Sequence, residues 1–565
     1  MAFHRTALAI SLLALLAGCG KKTPCSRVMD AETAARYAAV PAVGACPNVP
    51  AWAAVTNAAA FPELVQARDG SAPARLLPRG GVELPCAFSR QRADRACWDI
   101  SLSLNLTNAY GVAFDFWCGD VTQFTGFSIY FRSGEGWHHV EFSPLAEGQW
   151  HRVTIPRARV RNRDGQPGGW DAVSTVRLAG WRGGTNDTEL ALANFGLAVP
   201  PAVPTAAELA AERSITEAWL KRQSGQKGEW RAFWCHNYRG LGGGRTWDDT
   251  VRILRENNFN VVLANLAWAG VAFYPSDVLP VFGGVARMGD QLAACRDACR
   301  KYGVACHVWN VCWNLGHHAT PAHVAEMAAQ GRTQVRFDGT RKDGWLCPSH
   351  PDNRALEVQI FLEQARLGVD GIHLDYIRYP DESCCFCAGC RRRFEEQYGL
   401  SLTNWPRQVR ADAAVKALWR EFRITNITTL VATAAREIRR VAPNVQVSAA
   451  VFQNPETNPR AIGQDWADWC RRGLLDFVCP MDYNYDSAVA FKGVVFGQKR
   501  HLAGAKTKLR PGIGLSCWAD RTQDVRKTAE EILAVRAAGL DGFSIFNLDA
   551  RAVSVLPALR RGPLK

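Results

Sequence analysis

The chain is 565 residues long, more than one compact domain ordinarily holds, and carries a formal net charge of +14, with 20 tryptophans and 19 cysteines. That charge admits nucleic acid or an anionic surface as a partner, but the basic residues are scattered, with only small clusters such as Arg391-Arg392-Arg393. Beyond the first residues no stretch is apolar enough for long enough to be a transmembrane helix.

The N-terminus reads as a targeting signal. His4 and Arg5 form a basic start, and residues 7–16 are an apolar run too short to anchor in a bilayer. Leu16-Ala17-Gly18-Cys19 resembles a bacterial lipobox, so residues 1–18 are expected to be removed and Cys19 lipidated. The alternative is an ordinary secretory signal cleaved nearby. Gly20, where an aspartate would argue for inner-membrane retention, points to the outer membrane. An envelope address excludes nucleic acid and leaves acidic polysaccharide or lipid headgroups as what a basic surface faces. It also permits disulfides. Five cysteines besides Cys19 lie in the N-terminal half and thirteen in the C-terminal half. Both counts are odd, so one bridge crosses between the halves or free thiols persist.

Residues 19–50, rich in Ala and Pro, read as a tether. Residues 51–199 are strand-like. Residues 98–106 alternate with period two, and strands are expected at 112–117, 126–131, 138–142, 150–155, 175–181 and 188–195, with turns and no long helix between them. This predicts an all-β sandwich of jelly-roll type. It is similar in pattern to carbohydrate-binding modules, with a purely structural spacer as the alternative. Pro200-Pro201-Ala202-Val203-Pro204 is a stiff linker, and a polar helix over 206–223 completes a connecting segment, residues 200–228.

From 229 to 560 strands and helices alternate. Strands are expected at 231–236, 260–265, 304–310, 370–375, 446–451, 475–481, 509–515 and 542–546, with helices at 247–257, 289–301, 353–367 and 411–441. Eight βα units predict an α/β fold, a (β/α)8 barrel of TIM type; a doubly wound open sheet is the alternative. Gly242-Gly243-Gly244 lacks the lysine and spacing of a phosphate loop.

On such a barrel, functional residues gather at the C-terminal ends of the strands. Asp375 ends the fourth strand in Asp370-Gly371-Ile372-His373-Leu374-Asp375-Tyr376-Ile377-Arg378-Tyr379-Pro380, and Asp482 follows the sixth. Glycoside hydrolysis needs such a pair of carboxylates, one protonating the leaving oxygen and one attacking or activating water. Asp381, Glu382 and Glu456 are further candidates for the second group. His236, Asn265, His307, Trp309, Asn310, Tyr376, Arg378, Tyr483 and Trp518 are the expected sugar-binding residues, by hydrogen bonding to hydroxyls or by stacking. Neither histidine has His-x-His or His-Glu-x-x-His spacing, so they are read as hydrogen-bonding groups, not metal ligands.

Four segments carry a family resemblance: Arg231-Ala232-Phe233-Trp234, His307-Val308-Trp309-Asn310, the fourth-strand segment above, and Gln464-Asp465-Trp466-Ala467-Asp468-Trp469 leading to Leu475 and on to Asp482-Tyr483. Together they make residues 229–550 resemble the glycosyl-hydrolase-like family ten barrels. The resemblance implies a bacterial envelope glycosidase, with relatives that include outer-membrane lipoproteins cleaving denuded peptidoglycan strands. It places the family's fourth-strand aspartate on Asp375. At the sixth strand relatives often show Gln or another polar residue where this chain has Asp482.

After the fourth strand, Cys384-Cys385-Phe386-Cys387-Ala388-Gly389-Cys390 packs four cysteines into seven residues. Disulfides, to Cys347 or other loop cysteines, a structural zinc on these thiolates, and a redox thiol are the three readings. No other cofactor is expected. The reading as a whole is a lipid-anchored glycoside hydrolase acting on polysaccharide or peptidoglycan glycan. Its rival is a non-catalytic glycan-binding lipoprotein with a degenerate barrel. A metal-dependent deacetylase would need an Asp/His/His set that the sequence does not show.

Overall fold

A computed structural model describes residues 49–77, 80–202, 204–483, 487–515 and 525–565. The expected targeting segment with Cys19, most of the expected tether, and Trp518 lie outside the described residues. The chain divides into two compact units, Met1–Ala206 with Asp486–Gly497, and Ala207–Tyr485 with Gln498–Lys565. Among the described residues no helix is long and apolar enough to cross a membrane.

The first unit is built on two five-stranded antiparallel sheets. Its strands are β1 (Val65–Arg68), β2 (Arg75–Leu76), β3 (Val82–Cys86), β4 (Arg95–Leu104), β5 (Gly111–Cys118), β6 (Phe124–Phe142), β7 (His151–Pro156), β8 (Asn162–Pro167), β9 (Val173–Arg182) and β10 (Thr188–Ala198). One sheet runs β1-β4-β9-β6-β8 and the other β2-β3-β10-β5-β7. The period-two pattern of β4 does what alternation requires: Ala96, Trp98, Ile100, Leu102 and Leu104 all enter the shared core, while Ser101 and Ser103 are exposed. Phe114 stacks on Phe195 there, with ring centroids 6.1 Å apart. The expected strands 126–131 and 138–142 are one long strand, β6. The short strands β1, β2, β3 and β8 were not expected, because they are too brief or too polar to show a period. The connecting helix runs Ala206–Lys221.

The second unit is the expected barrel. Its strands, first to eighth, are Trp230–Cys235, Val261–Trp268, Ala305–Val311, Gly371–Asp375, Gln446–Val451, Phe477–Pro480, a seventh in two pieces (Lys508–Leu509 and Gly512–Gly514), and Gly542–Phe546. All neighbouring pairs are parallel. The first piece of strand seven pairs with strand six and the second with strand eight, so the sheet returns on itself and the open-sheet alternative falls. The break is at Pro511, which has no N–H to give the ladder.

Alternation sends every second side chain inward. Ala232, Trp234, Leu263, Trp309, Val311, Ala450, Phe477 and Cys479 fill the interior, and Met481, Tyr483 and Phe546 pack against them. A polar thread crosses this core: the Trp234 indole donates to His373 Nε2 at 3.0 Å, and His373 Nδ1 meets Ser448 Oγ at 2.9 Å. Burial drives the His373 pKa down to about 3, so its ring is neutral. Between the third and fourth strands an insertion forms a hairpin, Thr333–Val335 with Arg341–Leu346, before the helix Pro351–Arg366.

Candidate active site

Asp375 is the last residue of the fourth strand, inward-facing and only 5% exposed. Its Oδ2 accepts the Trp309 indole N–H at 3.0 Å, and its Oδ1 accepts the Tyr376 N–H at 2.6 Å. The second bond exists because the chain turns left-handed at Tyr376 (φ 54°), an uncommon conformation for a non-glycine residue and one that concentrates at functional sites. Burial raises the Asp375 pKa to about 6, against the opposing pull of the Tyr376 N–H, the Arg378 charge and the Trp309 indole. A carboxylate poised there exchanges protons near neutral pH, as general acid–base work requires.

Aromatic rings surround it. The Trp309 and His236 rings lie 5.5 Å apart, and His236 lies 6.2 Å from Trp268. Trp268 lies 6.3 Å from Tyr376, whose other neighbour is Trp345 at 5.5 Å. Tyr483 stacks on Phe546 at 5.2 Å, and Phe546 lies 6.2 Å from Trp309. The Arg378 guanidinium sits 4.9 Å from the centre of Tyr376 and 4.6 Å from that of Phe452, and donates to the carbonyls of Tyr379 and Pro380. Asn265 ties two walls together: its Oδ1 accepts from Trp268 and its Nδ2 donates to the Trp309 carbonyl. His236 is held below the usual histidine range by burial and by the neighbouring His317. Flat rings, a cation and one buried carboxylate make a site suited to sugar rings.

His236, Asn265, Trp309, Asp375, Tyr376, Arg378 and Tyr483 are thus brought together. Three expected residues are placed elsewhere. His307 faces inward but pairs in register with Gly371, four residues below Asp375 and about 13 Å down the strand. It is buried between Trp230 and Phe477, and a Cβ at position 371 would stand 2.1 Å from its ring. Asn310 faces outward, exchanging two 2.8 Å hydrogen bonds with Gln364 on the helix Pro351–Arg366. Asp482 is out of phase with Phe477, Cys479, Met481 and Tyr483. Its Oδ1 accepts from Gln498 at 2.7 Å, on the helix Ala488–His501, and Glu531 is its charged neighbour. Burial pushes its pKa well above the carboxylate range. Asp381 caps its own loop through the Ser383 N–H, Glu382 is exposed, and Glu456 pairs with His501. Among the described residues no second carboxylate bonds within the Asp375 pocket. Trp518 and the acidic residues Asp486, Asp520 and Asp524 of the loops after strands six and seven lie outside them.

Trp268, Trp345, Phe452 and Phe546 are wall residues that the sequence reading missed. Trp268 sits three positions past Asn265 on the same strand, and Phe546 ends strand eight, so the strand-end rule reaches both. Trp345 belongs to the inserted hairpin, and nothing local marks its destination.

The Trp309 bond allows a direct check. Trp309→Phe removes a donor that favours the ionised carboxylate, so the Asp375 pKa should rise further, by about one unit. The acid limb of the pH–rate profile should then move to higher pH. An unmoved limb would separate Trp309 from the titration.

The second unit is thus a parallel eight-stranded barrel with a buried carboxylate at an aromatic mouth. Residues 242–503, most of the barrel, match the model of the family Glycosyl hydrolase-like 10, the same family that the strand motifs resemble. Similar solved structures include the catalytic domain of a β-amylase from Paenibacillus polymyxa, at 10% identity, covering 60% of this chain and 96% of that one, with a TM-score of 0.43. The agarase AgWH50C is 11% identical, covering 87% of this chain and 92% of its own, with a TM-score of 0.42. A β-galactosidase from Bacillus circulans is 15% identical, covering 57% and 50%, with a TM-score of 0.38. No curated protein matches the chain.

Proposed function

We propose that the protein is an envelope-anchored glycoside hydrolase that cleaves a polysaccharide or the glycan strands of peptidoglycan, with Asp375 as its essential carboxylate. The observation that carries this reading is the setting of Asp375: buried, held by the Trp309 and Tyr376 N–H groups, its pKa about 6, and ringed by aromatic residues. In this mechanism Asp375 acts as nucleophile or general base toward an oxocarbenium-like centre. Trp268 and Tyr376 stack against sugar rings, Trp309 beneath them holds the Asp375 carboxylate, and Arg378 and His236 hydrogen-bond to hydroxyls. The sandwich unit would bind the same polysaccharide.

The second reading, a non-catalytic glycan-binding lipoprotein, draws on the outward placement of Asp482, since binding needs rings and hydrogen bonds but no acid partner. Purified protein incubated with denuded peptidoglycan and a polysaccharide panel separates the two. Hydrolysis releases new reducing ends; retention on a glycan with no release of reducing ends would replace the enzyme by the binder.

The address rests on the lipobox. Wild-type protein should partition into detergent with acyl chains on Cys19, and Cys19→Ser should move it to the soluble fraction. A wild-type protein found only in the soluble periplasm would overturn the anchor.

A further inference from the structure

Four thiols meet in a buried cluster beside the fourth-strand loop. Cys347 directly follows the hairpin strand Arg341–Leu346, while Cys385, Cys387 and Cys390 come from the loop and first turn leading into the helix Ala388–Tyr398. All four sulfurs lie within 4.8 Å of one another. Cys347 Sγ is 3.3 Å from Cys390 Sγ and 3.9 Å from Cys387 Sγ. A disulfide would bring a pair to about 2.05 Å and leave it apart from the others. A zinc ion bonded to four sulfurs at about 2.3 Å places them about 3.8 Å apart along the edges of a tetrahedron, close to the spacing found.

The surroundings suit thiolates, not thiols. The Val335 N–H donates to Cys385 Sγ at 3.5 Å, and the Cys390 N–H donates to Cys387 Sγ at 3.3 Å, with Cys387 capping the helix. Ser349 Oγ lies 3.2 Å from both Cys347 and Cys390 sulfurs, and receives two guanidinium N–H groups from Arg393 at 2.8 and 3.1 Å. The hydroxyl is therefore left to donate its own proton to sulfur, with a positive charge behind it. The neighbouring Cys384 turns away, its sulfur 3.9 Å from Ser383 Oγ. Helix N-terminus, hydroxyl and arginine are the kind of outer shell that orients metal-bound thiolates.

We propose that Cys347, Cys385, Cys387 and Cys390 bind a structural zinc ion as four thiolates. Binding releases four protons and forms four Zn–S bonds, with no change of oxidation state. All four positions are filled by protein, so the ion takes no part in hydrolysis. Its effect is to lock the hairpin that carries Trp345 to the loop that leaves Asp375, two segments otherwise joined by a single bridge at Arg336 and Cys384 and by the bonds from the Phe386 N–H to the Val335 carbonyl and from the Phe337 N–H to the Ser383 carbonyl. The assignment stands independently of what the barrel cleaves.

The test uses full-length protein purified without reductant or chelator. Zinc analysis should find about one ion per chain bound to this site. The ion should be lost in Cys385→Ser and Cys390→Ser and kept in Cys384→Ser. It should also be kept in Cys306→Ser, which breaks the separate three-thiol group of Cys295, Cys299 and Cys306. Should a ligand variant fail to fold, cobalt exchanged into the wild type gives an independent readout, with intense sulfur-to-cobalt charge-transfer bands and tetrahedral d–d bands. Zinc-free protein, disulfides mapped among the four cysteines, zinc that survives Cys390→Ser, or a cobalt spectrum without thiolate bands would each overturn the proposal.

Discussion

Asp375→Asn is expected to lower turnover on a verified glycan substrate at least about a hundredfold while the protein still folds. The amide cannot stabilise an oxocarbenium-like centre, nor take or give the proton. It occupies the same volume, so the walls should stand. Stability supplies a second readout. The folded-state pKa of about 6 lies above the ordinary aspartate value, so the fold disfavours the charged form. Wild-type stability from this group is therefore complete below about pH 4 and is lost as pH rises through 6, by on the order of 3 kcal/mol. The asparagine variant lacks that titration, although its NH2 group will face one of the two N–H donors and offset part of the gain. Melting temperatures of the two proteins should thus draw together or cross between pH 4 and 7. Near-normal turnover in the variant would remove Asp375 from the mechanism.

The largest expected effect on stability lies at the other end of the barrel. Glu229, whose side chain is fully buried, accepts from Arg231 at 2.8 Å and from Arg536 through both carboxylate oxygens at 2.7 Å. The two guanidiniums also bond the carbonyls of Leu564 and Pro563, so this cluster ties the chain end to the first strand. Glu229→Ala leaves the buried Arg231 and the partly buried Arg536 without their anion, which should cost the barrel about 3–5 kcal/mol in denaturant unfolding. Glu229→Gln, which keeps the shape and removes the charge, should show most of that loss. A change under about 1 kcal/mol in both would mean that the arginines find other partners.

Much of this architecture was legible in one dimension. The eight barrel strands stand within a few residues of their expected places, because strands of a parallel sheet are buried on both faces and read as short apolar runs ending in polar residues. Asp375 was identifiable for the same reason: it closes such a run, and Tyr376, Arg378 and Tyr379 follow. The sandwich declared itself through β4, where one face is solvated and the alternation is plain.

That same double burial is why other assignments went astray. A strand that is apolar on both faces carries no period to tell inside from outside, so the sequence cannot say that Met481 and Tyr483 face the barrel while Asp482 and Asn310 face the helices. It also cannot say that His307 sits a full layer below Asp375, since depth follows from the pairing register. The strand order and the aspartate at the fourth strand's end were set by local pattern, where apolar runs and their breaks suffice. Which side chains meet was decided by the closed barrel alone: Trp345 reaches Tyr376, and Cys347 reaches Cys390 from 43 residues away, because parallel strands and their crossovers bring loops distant in the chain to one rim.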